Sequence, residues 1–217
     1  MKYRKVWYNV DMIYIKEDEI ILRIISTKVL IDNFSEAAKL LTKEEALKIS
    51  KYNDFNRMLE EMGSLILIKK FTGPGDIKYN EYNKPYKEGG PYFNVSHSDG
   101  LIVLALSSTE IGVDIEKIRT MKNRVIEYAL SEKEYKMVET IDDFFKLWTI
   151  KESVGKCLGI GLAKGIKNIP TKNNKIFMGE KLTSFSFKIE SYMGSVTYKG
   201  FEPKNVKFID TKFEELK

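Results

Sequence analysis

The chain has 217 residues, 43% of them hydrophobic and 12% aromatic, which is ample for a packed core in one large or two small domains. It contains no run of about 18 apolar residues, so the sequence excludes a transmembrane helix. The net charge of +5 favours an anionic partner. Because the positive charge is spread along the chain rather than gathered in a basic arm, nucleic acid and a membrane are disfavoured as that partner.

The start of the chain and its cysteine content indicate the compartment. Asn9, Asp11 and Lys16 interrupt any signal-peptide core. Cys157 is the only cysteine, so no intrachain disulfide can form. We therefore expect a cytoplasmic protein, in which Cys157 is a small buried side chain rather than a nucleophile.

The first part of the chain is predicted to combine strands with helices. Val6–Ile15 is a strand candidate, and Ile20–Ile25 is either a second strand or the start of a helix. The pattern Thr42-x-x-Glu45 is a capping box that opens a helix through about residue 52. Residues 55–71 are strongly apolar on one face, which predicts a core helix.

The middle of the sequence is predicted to form three short strands. The turn signal Asp99-Gly100 separates Tyr92–Ser96 from the apolar run Leu101–Leu106, which indicates a hairpin or a close strand pair. The next segment, Ile111–Glu116, alternates with period two. Its apolar residues share one face, and Gly112, Asp114 and Glu116 share the other.

Asp114 and Glu116 are the first candidate ligands. Two carboxylates two residues apart on one strand face lie about 6–7 Å apart along the chain, at a rise of ~3.3 Å per residue. A hard divalent cation takes oxygen ligands of this kind. For an isolated pair, however, a solvent-facing strand edge is the commoner interpretation.

A helix predicted over residues 142–158 supplies further charged groups. It begins with acidic residues and is followed by glycines at 159 and 161, which are typical helix ends. At about 100° per residue, Trp148, Glu152 and Lys156 lie on one stripe, with Lys151 beside it. A surface ion pair is the simple alternative. The tryptophan favours a partly covered stripe at the edge of a cleft.

The remaining segments complete the predicted elements. Arg119–Leu130 is predicted to be helical, and the capping box Ser131-x-x-Glu134 opens a helix through about residue 139. Residues 172–174 are predicted to form a loop. Alternating patterns predict three strands near the end of the chain, at residues 184–191, 194–198 and 206–209.

Three motifs resemble the signature motifs of the 4′-phosphopantetheinyl transferases, in the order and spacing of the larger, two-lobed (Sfp-type) family. They are FNVSHS at Phe93–Ser98, GVDIEK at Gly112–Lys117 and WTIKESVGKCLGIGL at Trp148–Leu162, with KPY at Lys84–Tyr86 before the first. The resemblance implies an α+β fold of two similar lobes related by a pseudo-twofold axis, each a small antiparallel sheet packed with helices. It implies an N-terminal lobe over residues 1–111, on the adenylate side of coenzyme A, and a C-terminal lobe over residues 112–217 with the metal site.

The resemblance also implies a reaction and its participants. The 4′-phosphopantetheine arm of coenzyme A, the substrate, would pass to a serine of an apo acyl or peptidyl carrier protein, releasing adenosine 3′,5′-bisphosphate. The implied protein is a monomer with an internal pseudo-dimer. Asp114, Glu116 and Glu152 would hold Mg²⁺, or Mn²⁺, which accepts the same ligands.

Phosphoryl transfer needs neutralised phosphate charge and a base for the nucleophile, and the matched motifs offer groups for each task. Glu152 is the candidate base for the carrier serine. Lys156, with Lys151 as a second choice, would contact the phosphates.

The other candidate phosphate contacts precede the strand acids in the sequence. The lone histidine, His97, is expected to contact phosphate rather than to serve a structural role, since imidazolium donates to oxyanions. Ser96 could add a hydroxyl and Lys84 a point charge. Lys48 and Arg57 are the candidates for the 3′-phosphate end, with solvated helix positions as their alternative.

Two other functions are open on sequence alone. A metal-dependent nuclease also uses acidic pairs and lysines, but Lys117 points to the opposite strand face from Glu116, which counts against it. A non-catalytic module that binds carrier proteins or coenzyme A is the second alternative.

Overall fold

The computed structural model describes residues 3–4, 15–16, 18–160, 167, 169, 175–177, 181–200, 203 and 205–217. The strands are β1 Tyr3–Arg4, β2 Ile15–Lys16, β3 Glu19–Ser26, β4 Lys78–Tyr79, β5 Pro85–Tyr86, β6 Tyr92–Ser98, β7 Leu101–Ser107, β8 Ile111–Lys117, β9 Lys175–Phe177, β10 Lys181–Ile189, β11 Tyr192–Lys199 and β12 Asn205–Asp210. The helices are α1 Thr27–Asp32, α2 Phe34–Lys39, α3 Lys43–Ile49, α4 Phe55–Phe71, α5 Asn123–Ala129, α6 Glu132–Tyr135 and α7 Ile141–Leu158, followed by a 3₁₀ turn at Phe213–Leu216. The fold is thus α+β, as the motifs implied.

The first of two four-stranded sheets carries α4 on one face. Its strand order is β12-β3-β7-β6. The β6–β7 pair is the predicted hairpin, and Asp99 and Gly100 take the positive φ values (45° and 88°) that its tight turn requires. The apolar face of α4 packs on this sheet with Leu59, Leu67 and other fully buried side chains. The sheet and α4 share one core.

The second four-stranded sheet carries α7. Its strand order is β8-β11-β10-β9, and every adjacent pair in it is antiparallel. The capping box of Thr140 and Asp143 opens α7, and Gly159 closes it in the left-handed conformation (φ 66°). The predicted helix and its glycine stop are confirmed. Gly161 and Leu162, the end of the matched motif, lie outside the described residues.

The two sheets bury a common apolar layer between them. Side chains from both sheets form this core cluster: Ile20, Leu22, Val103 and Ala105 from the first, and Ile111, Val113, Ile115, Val196 and Tyr198 from the second. The predicted apolar face of β8 therefore points into the junction of the sheets. The opposite face of β8, with its two carboxylates, is left for α7 and β6.

The last strand corrects two expectations. We expected residues 112–217 to form the C-terminal lobe, but β12 pairs with β3 of the first sheet. We also expected antiparallel sheets, whereas the β12–β3 pair is parallel. A strand that arrives from the other sheet is not tied to its neighbour by a hairpin, so it can pair in either direction. Phe213 and Leu216 then bury themselves in the α4 core.

Most other predicted elements are confirmed, with shifted ends. Residues 20–25 lie in a strand rather than a helix, and the predicted α5 and α6 are shorter than expected. Helices α1 and α2 were not predicted. The strand candidate Val6–Ile15, apart from Ile15, and the loop at residues 172–174 lie outside the described residues. No helix of the described part combines the length and apolar character that a membrane crossing needs.

Candidate active site

Side chains of β6 bridge to β8 across the boundary between the two sheets. Alternate residues of β6 point at the backbone of β8, as period-two geometry requires. Each accepts a hydrogen bond from one backbone N–H: Asn94 from Val113 (2.9 Å), Ser96 from Ile115 (3.3 Å) and Ser98 from Lys117 (3.2 Å). We call these three β6 residues the polar seam. It fixes the register of β8 against β6 although the strands belong to different sheets.

The same seam orients both strand carboxylates. The hydroxyl of Ser96 donates to Asp114 Oδ1 (3.0 Å), and that of Ser98 donates to Glu116 Oε2 (2.9 Å). The ammonium of Lys156 lies 2.7 Å from Asp114 Oδ1 and 2.8 Å from Ser96 Oγ. Lys156, Ser96 and Asp114 therefore form one hydrogen-bonded triangle between α7, β6 and β8.

Three carboxylates share this region, and the pKa values of Glu116 and Glu152 are raised there. Burial, and then the charge of Asp114, raises the pKa of Glu116. The same two causes raise the pKa of Glu152 to about 7, against the opposing charge of Lys156. One ammonium therefore does not balance the negative charge that Asp114, Glu116 and Glu152 develop together.

A close approach of α7 to the second sheet positions Glu152 and Lys156. A Cβ on Gly112 would lie only 2.1 Å from Ser153 O and 2.3 Å from Cys157 N, so only glycine fits there. Buried hydroxyls tie the helix to β11, since Thr149 lies 2.7 Å from Ser195, and Ser153 lies 2.7 Å from Thr197.

His97 lies on the other face of β6, beside Arg57 of α4. Arg57 Nη1 is 3.3 Å from His97 Nδ1, so the structure brings these two predicted residues together. Two acidic residues of α4 complete the cluster. His97 Nδ1 lies 3.0 Å from Glu60 Oε2, and Arg57 Nη2 lies 2.7 Å from Glu61 Oε1. Because strand residues alternate, Ser96 and His97 face opposite sides of β6.

One predicted phosphate contact, Lys151, lies away from the acidic cluster. Lys151 is fully buried and donates to Glu134 Oε2 (2.7 Å) and Ala129 O (3.2 Å). Burial lowers its pKa, and Glu134 counteracts the shift. Its expected place beside the phosphates is therefore wrong, because it points away from the carboxylates into a buried ion pair.

Lys84 and Lys48, two further predicted phosphate contacts, interact with neighbouring groups of the protein. The ammonium of Lys84 donates to Glu110 Oε2 (2.9 Å), Ile111 O (3.2 Å) and Cys157 O (2.9 Å), so it joins the β4–β5 segment to β8 and α7. Lys48 is exposed on α3, with its ammonium 5.6 Å from the centre of the Tyr79 ring.

Several functional residues were not singled out from the sequence. Asn94 and Ser98 had a signal in the alternation N-x-S-x-S, which places all three polar side chains on one face of β6. Glu60 and Glu61 follow Arg57 by three and four residues, the helical spacing of an ion pair. Nothing in the sequence joins those glutamates to His97, since that contact spans two distant elements.

The acidic cluster fits a cation by charge and donor chemistry. Asp114 Oδ2 is buried and has no hydrogen-bond partner among the described residues, which is costly for a carboxylate oxygen. Carboxylate oxygens are the ligands that Mg²⁺ and Mn²⁺ prefer. Within the described ranges, no group of three or more acidic, histidine or cysteine residues is arranged to hold a metal ion as it stands.

A cleft of about 500 Å³ opens between the β4–β5 segment and the C-terminal end of α7. Tyr86 and Phe93 line it from one side, and Leu158 and Leu182 line it from the other. The cleft begins one residue beyond Lys156, at Cys157.

Comparison with known proteins identifies the segment that carries the acidic cluster. The model of the 4′-phosphopantetheinyl transferase superfamily matches residues 110–192, which include Asp114, Glu116, Glu152 and Lys156.

Individual relatives carry the same description. The chain is 30% identical to 4′-phosphopantetheinyl transferase gsp of Aneurinibacillus migulanus, over 59% of this chain and 60% of that protein. It is 36% identical to 4′-phosphopantetheinyl transferase Sfp of Bacillus subtilis strain 168, over 41% of this chain and 44% of that protein. The chain is also 26% identical to the L-aminoadipate-semialdehyde dehydrogenase-phosphopantetheinyl transferase of Candida glabrata, over 72% of this chain and 69% of that protein. The chain thus spans between about two fifths and two thirds of these relatives. Residues 110–192 are therefore the part of the chain that is similar to the 4′-phosphopantetheinyl transferase superfamily.

Proposed function

We propose that this chain transfers the 4′-phosphopantetheine arm of coenzyme A to a serine of an apo carrier protein, releasing adenosine 3′,5′-bisphosphate. One observation carries the proposal: the Lys156 ammonium lies 2.7 Å from Asp114 Oδ1, within the segment matched by the family. The charge of Asp114 also raises the pKa of Glu116 and of Glu152. The names of the relatives support the same reaction.

Lys156 and Glu152 carry the proton and charge chemistry in this proposal. The Lys156 ammonium, now paired with Asp114, donates to phosphate oxygens and stabilises the leaving bisphosphate. Glu152, whose pKa lies at about 7, accepts the proton of the carrier serine as that oxygen attacks phosphorus. Ser96 holds the Lys156 ammonium in place at 2.8 Å.

Asp114, Glu116 and Glu152 would hold Mg²⁺, or Mn²⁺ in its place. The unpartnered Asp114 Oδ2 and the excess of carboxylate charge support this assignment. When bound, the ion supplies positive charge that neutralises the pyrophosphate of coenzyme A. The hydroxyls of Ser96 and Ser98 orient two of the three ligands.

The anionic end of coenzyme A is assigned to the first lobe. Arg57 and His97 form a cationic pair there, and exposed Lys48 adds charge. We propose that the lobes, over residues 1–111 and 112–204, are related by a pseudo-twofold axis in a monomer. In this proposal coenzyme A occupies the cleft between the lobes, and the protein works in the cytoplasm. The chain has one cysteine, Cys157, which is buried, and this suits such a reducing compartment.

Intact-mass analysis of an apo carrier protein tests the proposed reaction. The carrier is incubated with coenzyme A, Mg²⁺ and either the wild-type chain or the Asp114→Asn variant. We expect the carrier to gain one phosphopantetheine with the wild type and nothing with the variant. Failure to modify any of several acyl and peptidyl carriers would leave a non-catalytic binding module as the function.

A further inference from the structure

Both ring nitrogens of His97 face carboxylates of α4. Nδ1 lies 3.0 Å from Glu60 Oε2, and Nε2 lies 3.7 Å from Glu61 Oε1. The first distance is a hydrogen bond, and the second is longer than one. Glu60 is itself held, because its Oε1 accepts a 2.9 Å hydrogen bond from Gly100 N in the β6–β7 turn.

These contacts decide the protonation of His97. Arg57 Nη1, at 3.3 Å, can donate to Nδ1 only if that nitrogen carries a lone pair, whereas Glu60, at 3.0 Å, can accept only if it carries a proton. Nδ1 cannot satisfy both. The shorter contact, together with a second carboxylate opposite Nε2, favours the imidazolium, which donates from both nitrogens.

We propose that Glu60 and Glu61 are positioning residues that keep His97 doubly protonated and aim its Nε2–H at the phosphate of the incoming ligand. Glu60 is the fixed partner, being buried and anchored by the turn. Glu61 is the exchangeable partner, since it is more exposed and its contact with Nε2 is long. This inference rests on the proposed function for the identity of the ligand, and on the geometry alone for the charge of His97.

The balance of charge in the cluster supports this assignment. With His97 protonated, two cations, Arg57 and His97, face two carboxylates, Glu60 and Glu61. Its cross-strand neighbour on β7 is the apolar Ile102, which adds no charge to the cluster. Burial lowers the pKa of His97, but the two carboxylates, Glu60 and Glu61, outweigh that effect and raise it. A phosphate that displaces Glu61 from His97 would replace the negative charge that Glu61 provides there.

Nuclear magnetic resonance measures the charge directly, because His97 is the only histidine and its ring signals are unambiguous in a chain without a histidine tag. The wild type is compared with Glu61→Gln, Glu60→Gln and the control Glu36→Gln, which removes an exposed partner of Lys39. We expect a His97 pKa above 6.5 in the wild type, a lower one in the first two variants and no change in the control. A wild-type pKa at or below 6.5, or one that neither variant lowers, overturns the proposal.

A coenzyme A titration separates this inference from the proposed function. We expect coenzyme A to shift the His97 ring signals, and its affinity to fall roughly tenfold as His97 loses its proton. The midpoint of that fall should move to lower pH in Glu61→Gln, in step with the pKa of the ring. If the pKa values behave as expected but coenzyme A shifts no His97 signal, the charged state stands and the phosphate contact is refuted. If the affinity falls at the same pH in both proteins, Glu61 does not act through His97.

Discussion

At the residue scale, single hydroxyls of β6 each serve two partners. Ser98 accepts from the backbone N–H of Lys117 and donates to Glu116 Oε2, so one side chain fixes both a strand and a carboxylate. Ser96 likewise accepts from the backbone N–H of Ile115 and donates to Asp114 Oδ1. It also accepts a hydrogen bond from the Lys156 ammonium. The orientation of Asp114 and Glu116 thus depends on hydroxyls that are not themselves proposed as metal ligands.

Ser98→Ala is predicted to slow carrier modification roughly tenfold, because a hydrogen bond to a charged group contributes about 1.5–3 kcal/mol. Ser98→Thr retains the hydroxyl and should retain most of the rate. Ser50→Ala, which removes an exposed hydroxyl bonded within α3, is the control. The measurement is the initial rate at several Mg²⁺ concentrations. Equal rates for all variants would show that Ser98 does not orient Glu116.

The His97 cluster should give stability a defined pH dependence. The raised pKa of His97 contributes stability that is complete below about 6.5 and is lost as pH rises through its folded pKa. The lowered pKa values of Glu60 and Glu61 contribute stability that is present above about 4.5 and is lost as pH falls.

The free energy of unfolding should therefore differ most between wild type and His97→Gln at about pH 5–6, and the difference should shrink towards higher pH. Urea denaturation at a series of pH values checks this. A difference that stays constant from pH 5 to 9 would contradict the charged pair.

At the element scale, α7 sets the position of Glu152 and Lys156, and its position depends on Gly112. Gly112→Ala is predicted to destabilise the chain by about 1–3 kcal/mol and to abolish most activity, because the added methyl group meets helix backbone. Gly63→Ala is a matched control, since its methyl group meets the ends of the flexible Ile102 and Leu30 side chains.

Denaturant midpoints and rates of the folded variants provide the comparison. Both variants should lose stability, and only Gly112→Ala should lose the rate per folded molecule. Full activity of Gly112→Ala would mean that the close approach of α7 is dispensable.

The buried Lys151–Glu134 pair ties α7 to the capping box of α6. Lys151→Met leaves the Glu134 carboxylate buried without its cation, which we expect to cost about 3–5 kcal/mol. Glu134→Gln in the Lys151→Met background should recover part of that loss, because no charge then remains to be buried. Thermal denaturation of the single and double variants tests the coupling. Additive losses would contradict it.

Elements formed by interactions between residues close in sequence could be predicted, whereas contacts between distant residues could not. The alternation of Ile111–Glu116 and the capping boxes are local, and each was confirmed. Lys151 was misplaced because helical geometry fixes the direction of a side chain but not the partner that faces it. The polar seam joins residues 94–98 to residues 113–117 through side chains, so no hairpin or turn signal in the sequence predicts it.

At the scale of the whole molecule, the chain crosses between the two four-stranded sheets twice. It leaves the first sheet after β7, builds the second sheet and returns as β12, with Phe213 buried beside α4. The pattern of β12 predicted a strand but not its neighbour, because pairing partners at long sequence separation leave no local mark. The stability of the first sheet and of the α4 core therefore depends on residues from the far end of the sequence.

Phe213→Ala is predicted to destabilise the chain by about 3–5 kcal/mol, as for other buried phenylalanines. Phe208→Ala, in the same segment but 49% exposed, should cost much less. Hydrogen exchange should show the loss of protection in α4 and β3 first. A loss of protection confined to α7 and β11 would contradict the packing of Phe213 against the α4 core.

The central claim is that Asp114, Glu116 and Glu152 bind one divalent cation beside Lys156. Electron paramagnetic resonance of Mn²⁺, titrated into the chain with coenzyme A present, tests it most directly. We expect one bound ion in the wild type, a loss of affinity of about tenfold or more in each of Asp114→Asn, Glu116→Gln and Glu152→Gln, and no loss in the control Glu110→Gln. Mn²⁺ binding that is unchanged in Glu152→Gln would contradict the claim, because the helix glutamate would then lie outside the site.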